Sequence, residues 1–398
     1  MTISKAKQLE KKQLPKNMQQ VINIRESGAM MVELMTSMLI GTLMLSGALT
    51  VMLSSSSTYK TKNALADMDE RGRLALELIA QDIRRSGYKG CGNDQSQQIV
   101  RTFTTDSDES WIAPESGLRG WEYFDTGLNS NLDIYNLQET GFSSSSWSTS
   151  GSSIDKGFGS AMLRRSDVIE LWPVQPAYMD ITSATSSQLN VGNATSGFPS
   201  SASDNHNQLL LVSDCTRNLL VMSNKFDSAS VDIDTSRNNA SADQLSSISN
   251  GQAVMLKGVL YYLRIPTDSY RTRPGLYRKE IEIKTNNTNT NFGHKNAQEI
   301  IPNILSLQFL YGEAESDNVS ANRYVTADQV GDWRNVVSVR IYLLLETQDA
   351  NASPDQFDFT FHGRTYSPEN SADKRMRREY SKTVSLRNRT GSIVALEN

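Results

Sequence analysis

The longest apolar run of the chain covers residues 29–53, close to its start. The run holds one charged residue, Glu33, and no proline. It is long enough to cross a bilayer as a helix. Apolar residues then recur at spacings of three and four through residues 65–83, as on one face of a helix. The pattern predicts one helix over residues 29–85, whose first half spans a membrane and whose second half lies on a globular domain.

The predicted helix has one weak stretch and a defined end. Four consecutive serines at residues 54–57 disfavour helix and mark a place where it could bend. Arg84 and Arg85 favour the negative end of the helix dipole, and Gly87 suits a helix C-terminus. The helix is therefore predicted to end at Arg85.

After Gly90 the chain is rich in Ser, Thr, Asn, Asp and Gly, and its apolar runs are short. This composition predicts a β-rich domain with long loops. Strands are predicted at residues 167–174, 208–214, 218–223, 253–265, 276–283, 304–311 and 336–346. Polar segments at 143–153, 184–207 and 227–250 are predicted to be exposed loops, either variable surface or a ligand site.

Charge is unevenly distributed along the chain. Residues 1–28 hold six basic and two acidic side chains, although the whole chain has a net charge of −4. A basic stretch before an apolar helix keeps the N-terminus in the cytoplasm and sends the rest outward. The negative total gives no electrostatic reason for the whole chain to bind nucleic acid. A local basic run, Lys374, Arg375, Arg377 and Arg378, is either a solvated loop or a contact for DNA phosphates.

The switch from polar to apolar sequence falls at Gly28 and Ala29, before the apolar run begins. Secretory signals are cut after their apolar region, whereas a cut after Gly28 would keep the helix. Glu33 costs about 3 kcal/mol in hydrocarbon if it has no partner. The new α-amino group of Ala29, one helical turn away or on a neighbouring subunit, would supply one. The alternative is an uncut signal anchor with a stray glutamate.

Residues 28–35 resemble the type IV prepilin signature, which has a glycine, a short apolar stretch and a glutamate at the fifth mature position. The resemblance implies that prepilin peptidase cuts after Gly28 and that Ala29 becomes N-methylated. It also implies that Glu33 docks the subunit into a growing filament. Two features depart from the pattern: Ala29 stands where phenylalanine is commonest, and the leader is long.

Five further segments look like the PilW family of minor pilins: residues 75–91, 211–215, 261–263, 274–278 and 383–389. The resemblance implies an α+β type IV pilin fold, with a long N-terminal helix on an antiparallel β-rich domain, related to the J-type pseudopilin of type II secretion. The expected organisation is a removed leader (1–28), a transmembrane and filament-core helix (29–53), its amphipathic continuation (54–87) and a periplasmic domain (88–398).

The resemblance implies a role in assembly and not in catalysis. The protein would be a single-pass inner-membrane subunit that joins other minor pilins to prime pilus assembly, with the tip as a candidate position. Twitching motility, adhesion or DNA uptake would depend on it. The implied partners are other minor pilins, the major pilin, prepilin peptidase, the inner-membrane assembly machinery and a tip adhesin, with no small-molecule substrate. The rivals are a type II secretion minor pseudopilin and a signal-anchored periplasmic binding protein or enzyme.

Two cysteines, Cys91 and Cys215, lie in the part that would be exported. An oxidising compartment favours a disulfide between them, and the alternative is two unpaired buried thiols.

No catalytic, metal or cofactor site is predicted. His206, His294 and His362 are too scattered for a metal site, and neither a phosphate-binding loop nor a nucleophile elbow occurs. Two acidic clusters could touch Ca²⁺ but lack the spacing of a calcium loop. These clusters are Asp106, Asp108 and Glu109, and Asp232 with Asp234.

Overall fold

The computed structural model describes residues 16–90, 98–104, 111–123, 146–149, 154, 158, 161–198, 207–214, 216–235, 238, 242–266, 273–286, 289–314, 320–368 and 372–390. The helices are α1 (Lys16–Arg85), α2 (Ala242–Ser246) and α3 (Arg387–Thr390). The strands are β1 (Ile99–Arg101), β2 (Leu118–Tyr123), β3 (Trp147–Ser148), β4 (Val168–Leu171), β5 (Val174–Ala184), β6 (Gln188–Ala194), β7 (Gln208–Ser213), β8 (Asn218–Phe226), β9 (Ser230–Ile233), β10 (Ser249–Leu256), β11 (Val259–Arg264), β12 (Gly275–Asn286), β13 (Asn289–His294), β14 (Gln298–Pro302), β15 (Ile304–Glu313), β16 (Arg323–Val325), β17 (Val336–Glu346), β18 (Phe359–Phe361), β19 (Arg364–Tyr366) and β20 (Arg377–Ser385).

The chain divides into two units, residues 1–63 and 64–398. What the structure describes of the first unit is helical, and residues 54–57 are helical like their neighbours. The helix begins at Lys16, within the predicted leader, and ends at Arg85 as the sequence predicts. The second unit holds the last turns of α1 and the strands, so a long N-terminal helix and a largely antiparallel β-rich region are confirmed.

Two sheets pack against the α1 residues of the second unit. The C-terminal sheet has the strand order β16-β15-β17-β20, and the central sheet has the order β13-β12-β11-β4-β2-β3. In β17 the residues Val339, Ile341 and Leu343 face α1, whereas the alternate residue Leu344 faces the β18–β19 hairpin. This is the period of two expected of a strand with a different environment on each face. Met68, Ala75, Ile79 and Ile83 of α1 fill the shared core.

Strand β11 is buried on both faces. Val259, Tyr261 and Leu263 point into the core with α1, and Leu260 and Tyr262 point into a second apolar core on the other side of the central sheet. Aromatic side chains dominate this second core; Trp111, Trp121, Trp147 and Trp172 all belong to it.

Beyond the second core lies a closed barrel. Strands β5 to β10 pair in the cyclic order β5-β6-β9-β8-β7-β10, and β10 returns to pair with β5. Its interior holds one set of alternate residues, such as Leu210 and Val212, while Leu209 and Leu211 point outward into the second core. The chain enters the barrel shortly after Leu171 of β4 and leaves it shortly before Val259 of β11. These two residues lie opposite each other.

Two of the sequence predictions are wrong in this region. Residues 253–265 form two strands in different sheets, separated at Gly258, where a Cβ atom would lie 2.8 Å from the side chains of Trp172 and Ile281. The predicted loops 184–207 and 227–250 contain β6 and β9, which complete the barrel, and also α2. These segments bury few apolar side chains, such as Leu189 and Val231, and their other faces are polar, so they are typical of loops by composition. The predicted exposed loop 143–153 contains β3, whose Trp147 is buried.

Candidate functional site

The apolar side chains of the first unit are exposed to an unusual degree. Met30, Met44 and Met52 are 72%, 72% and 70% exposed, and the other large apolar residues between them are similarly uncovered. Of the helices that the structure describes, α1 is the one long and apolar enough to cross a membrane. A run of exposed apolar side chains this long requires a lipid or protein environment to cover it.

The polar side chains in this run satisfy themselves within the helix. The hydroxyls of Thr36 and Ser37 donate to the Glu33 carbonyl at 3.0 and 2.7 Å, and those of Thr42, Ser46 and Thr50 also donate to carbonyls three or four residues earlier. Such bonds remove the need for water around a hydroxyl. They leave the Glu33 carboxylate as the polar group of residues 30–53 that needs an external partner.

Glu33 lies in the helix four residues after Ala29, a rise of about 6 Å. Its side chain is exposed, and no described residue forms an ion pair with it. Gly28 and Ala29 have helical backbone. The helix thus places the position of a new N-terminus one turn from the carboxylate.

Alternate side chains of β20 bind the second part of α1. Arg378 donates to Asp69 at 2.8 Å, and the Tyr380 hydroxyl donates to the same carboxylate. The bond from Tyr380 holds the pKa of Asp69 below its usual range. The helix approaches closely here, because a Cβ atom on Gly72 would lie 2.7 Å from the Tyr380 ring. About two turns after Asp69, Glu77 accepts hydrogen bonds from Lys382 and from Arg84, the latter at 2.8 Å. The hydrogen bond from Lys382 contributes most to lowering the pKa of Glu77 to about 2.

A buried carboxylate joins α1 to the central sheet. Asp82 accepts a hydrogen bond of 2.8 Å from the Tyr261 hydroxyl and lies 3.4 Å from the guanidinium of Arg278. Burial and the Asp82 carboxylate raise the pKa of Tyr261, so this phenol stays a donor at neutral pH.

The C-terminal segment closes the end of α1. The Asn388 amide donates to the carbonyls of Arg84 and Ser86 at 3.3 and 3.2 Å, which are groups that a helix end leaves without partners. Gly87 and Gly117 both have φ of +70°, and a Cβ atom on Gly117 would lie 2.5 Å from the Gly87 backbone. Gly117 must therefore lack a side chain for the two backbones to touch, and a Cβ atom on Gly87 would instead lie 2.8 Å from the Arg389 side chain.

Arg389 fills the space beside this contact. Its buried guanidinium donates to carbonyl oxygens of Ser116, Trp333 and Val336, with 2.7 Å to Trp333. Burial lowers the pKa of Arg389 to about 10, which leaves the group charged at neutral pH. One side chain thus ties together the chain after α1, the start of β17 and the C-terminal segment.

The predicted basic run is largely neutralised. Arg375 and Arg377 pair with Asp373 at 3.1 and 2.6 Å, and Arg378 is held by Asp69. Lys374 donates to a backbone carbonyl. Arg377 and Arg378 lie on β20, whereas Lys374 and Arg375 lie in the non-strand segment before it, so the run is partly loop and its charges are partnered.

The candidate metal-binding residues that the structure describes do not come together. Asp106, Asp108, Glu109 and His206 lie outside the described residues, as do Cys91 and Cys215. Asp232 accepts from the Gln188 amide at 2.9 Å, and burial lowers the pKa of His362 to about 4. Among the residues that the structure describes, no group of three or more His, Cys, Asp or Glu side chains could hold a metal ion.

The family model described as Type IV Pilus-assembly protein W matches residues 260–388. This match supports a PilW-family type IV pilus protein. The matched residues run from β11 to the first residues of α3 and so include the β20 contacts to α1 and the cap by Asn388. The barrel and α1 lie outside the match. Comparisons with curated proteins and with solved structures give no match.

PilW is a family of pilus-assembly proteins and not a known enzyme family. A role in pilus assembly agrees with an N-terminal apolar helix that suits membrane anchoring. Sequence reasoning missed Asn388 and Arg389, although the segment 383–389 carries part of the resemblance. The signal in the sequence was the run Arg387, Asn388 and Arg389, which follows the amphipathic strand β20.

Proposed function

We propose that this chain is a minor type IV pilin. Prepilin peptidase cuts it after Gly28, Ala29 becomes N-methylated, and residues 29–53 anchor the protein in the inner membrane with its β-rich domain in the periplasm. It then joins other minor pilins and the major pilin in a complex that primes pilus assembly, through the inner-membrane machinery. A place at the tip and a role in twitching, adhesion or DNA uptake follow from the same proposal.

The observation that carries this proposal is the apolar surface of α1 interrupted by one carboxylate. Large apolar side chains from Met30 to Leu53 are at least half exposed, and Glu33 sits among them without a described partner. Packing against helices of other subunits would cover the apolar surface. The amino group created by cleavage would neutralise Glu33 at about 4 Å, a gain of roughly 4 kcal/mol before desolvation at an effective dielectric of 20.

Contacts with β20 and β11 hold the second part of α1 in place on the domain. Asp69, Glu77 and Asp82 each bind a side chain from a strand within the family match. A domain held in this way supports the proposal that the chain acts as a filament subunit, since filament contacts made by a helix must be transmitted to the domain it carries.

The test is mass spectrometry of the N-terminal peptide from membranes of cells with and without the candidate prepilin peptidase. The proposal expects a peptide that begins at N-methylated Ala29 and disappears without the peptidase. An intact leader in both strains, or a cut beyond Leu53, would overturn it. The signal-anchored periplasmic protein would then be the better interpretation.

We also propose a disulfide between Cys91 and Cys215. Both residues lie outside the described part of the chain, but their neighbours touch: a Cβ atom on Gly90 would lie 2.3 Å from the Ser213 hydroxyl. Cys91 follows Gly90 directly, and Cys215 follows Ser213 by two residues. The close approach of Gly90 to the Ser213 side chain supports the proposed pairing.

A further inference from the structure

The barrel carries a polar recess on its outer wall that assembly into a filament does not explain. Asp180 on β5 lies directly opposite Gln252 on β10, which lies directly opposite Ser213 on β7. Directly opposed residues in a sheet share a face. Met179 and Ala253, the chain neighbours of Asp180 and Gln252, point into the barrel interior, so this row points outward.

The recess has a volume of about 440 Å³. Thr182 and Asn250 extend it by a second polar row, and Gly251 forms its floor. A Cβ atom on Gly251 would lie 2.6 Å from the Ser213 carbonyl oxygen, so glycine allows the close strand approach there. Asn250 has a φ of 58°, which turns the chain at the edge of the recess.

An exposed aromatic side chain borders this polar surface. Tyr178 precedes Asp180 by two residues on the same strand and therefore points to the same face. It is 43% exposed, which makes it one of the few large aromatic residues of the described part of the barrel that is not buried. A tyrosine offers an apolar ring face beside a hydroxyl that can form hydrogen bonds.

The described lining limits the chemistry of a ligand. It contains no lysine or arginine to hold a phosphate or sulfate, and one carboxylate, Asp180, is too little charge to hold Ca²⁺ by itself. Ile181, the large apolar residue of the described lining, is buried in the barrel interior, so a lipid chain would meet backbone and the carbon atoms of polar side chains but no exposed apolar side chain of this lining. The polar groups of the lining are a carboxylate, two amides and two hydroxyls. The Gln252 amide donates to Asp180 at 3.4 Å, the Thr182 hydroxyl donates to the Asn190 carbonyl at 3.2 Å, and Ser213 is buried. A ligand would therefore chiefly meet the Asp180 carboxylate and the amides of Asn250 and Gln252, which together both donate and accept hydrogen bonds.

We infer that this recess binds a neutral saccharide. Asp180 and Gln252 would bind adjacent ring hydroxyls, Asn250 and Thr182 would bind a neighbouring sugar, and Tyr178 would pack against the apolar face of a ring. The closed barrel supplies a rigid support, since its six strands leave no unpaired edge at β5 or β10. The inference does not depend on the pilin proposal, because the recess and Tyr178 lie wholly on the barrel.

The test uses the full-length protein in a zwitterionic detergent, because sugar-headed detergents would compete for the site. The probes are immobilised neutral oligosaccharides built from hexoses and N-acetylhexosamines, followed by saturation-transfer NMR with the best binder. We expect Asp180→Asn and Gln252→Ala each to weaken binding about tenfold, as loss of a hydrogen bond to a ligand does. Tyr178→Ala should weaken it to a similar degree.

Matched controls lie outside the described lining of the recess. Asp227→Asn changes an exposed turn carboxylate, and Gln244→Ala changes an exposed glutamine on α2. Both should bind within twofold of the unchanged protein, and thermal melting should show that all five variants are folded. Failure of every probe to bind would overturn the inference. So would binding that Asp180→Asn and Gln252→Ala leave unchanged, or that the controls weaken equally.

Discussion

The hydroxyl of Tyr261 on β11 donates a hydrogen bond of 2.8 Å to the buried carboxylate of Asp82 on α1. Removing the hydroxyl by Tyr261→Phe leaves Asp82 with only the longer contact to Arg278. We expect a loss of about 1–3 kcal/mol in the free energy of unfolding, because the carboxylate stays buried. Denaturant titration of the detergent-solubilised protein measures it. Tyr178→Phe, at an exposed tyrosine, is the control and should change little.

The contact between Gly72 and the Tyr380 ring sets two effects against each other. Gly72→Ala should favour the helix by up to about 1 kcal/mol through propensity. The added Cβ atom, however, would lie 2.7 Å from ring carbons of a tyrosine that Asp69 holds in place. We expect the clash to prevail, with a net loss of about 1–2 kcal/mol. The same substitution made together with Tyr380→Ala should be neutral or stabilising, and equal losses in both backgrounds would contradict this explanation.

Glu170 makes stability depend on pH. It is fully buried, accepts from the Ala113 amide at 2.9 Å and from the Trp172 indole, and its second oxygen has no partner among the described residues. Burial raises its pKa from 4.5 to about 7. Since the folded state holds this proton more tightly, the stabilisation is complete below pH 4.5 and is lost as the pH rises through 7.

Glu170→Gln should therefore flatten the fall in unfolding free energy between acid and neutral pH. At pH 8 the variant should gain on the order of 3 kcal/mol relative to its difference at pH 4. Unfolding titrations at several pH values measure this, and Glu70→Gln on the exposed face of α1 is the control. A difference between the Glu170 variant and the unchanged protein that is the same at every pH would show that folding does not raise the pKa of Glu170.

The proposed disulfide predicts a cross-linked peptide. Digestion without reductant should release one species that contains both Cys91 and Cys215, and reductant should separate it. Replacing both by serine should cost about 2–5 kcal/mol, as expected for a link that closes a long loop. Free thiols that react with an alkylating reagent in the native, unreduced protein would sink the proposal.

The filament role of Glu33 predicts a separation of cleavage from assembly. Glu33→Ala should still be cut after Gly28 and remain in the membrane, but should be absent from pili sheared off the cells. Immunoblots of membrane and sheared fractions measure this, with Glu70→Ala as the matched control on the same helix. Normal recovery of Glu33→Ala in sheared pili would mean that the carboxylate has no docking role.

The elements that could be predicted from the sequence are those with a single regular environment on each face. Strand β17 has the predicted bounds, Val336–Glu346, because apolar and polar residues alternate over residues 337–343 and the flanking positions are apolar. Strands β6 and β9 could not be found, since each buries few apolar residues and draws its stability from closing the barrel. Strands β10 and β11 were merged because both are apolar, and only the packing around Gly258 separates them.

The candidate site also has one part that the sequence predicts and others that it does not. Glu33 could be recognised from local sequence, because a charge within an apolar run is visible in a short window. The contacts that hold α1 on the domain could not be predicted, since Asp69 and Arg378 are 309 positions apart in the chain. The recess on the barrel depends on three strands coming into register, which no local pattern reports.

The pairing of Leu171 with Val259 has a mechanical consequence. The chain enters the barrel after Leu171 and leaves it before Val259. The pairing of β4 with β11 therefore connects the two ends of the barrel segment directly. Tension applied along α1 would pass into β20 and β11 through Asp69, Glu77 and Asp82. The barrel is tied to the same helix, because the Arg85 guanidinium donates to the Val174 carbonyl of β5 at 2.8 Å and β1 pairs with β8, so part of the load would also reach the barrel.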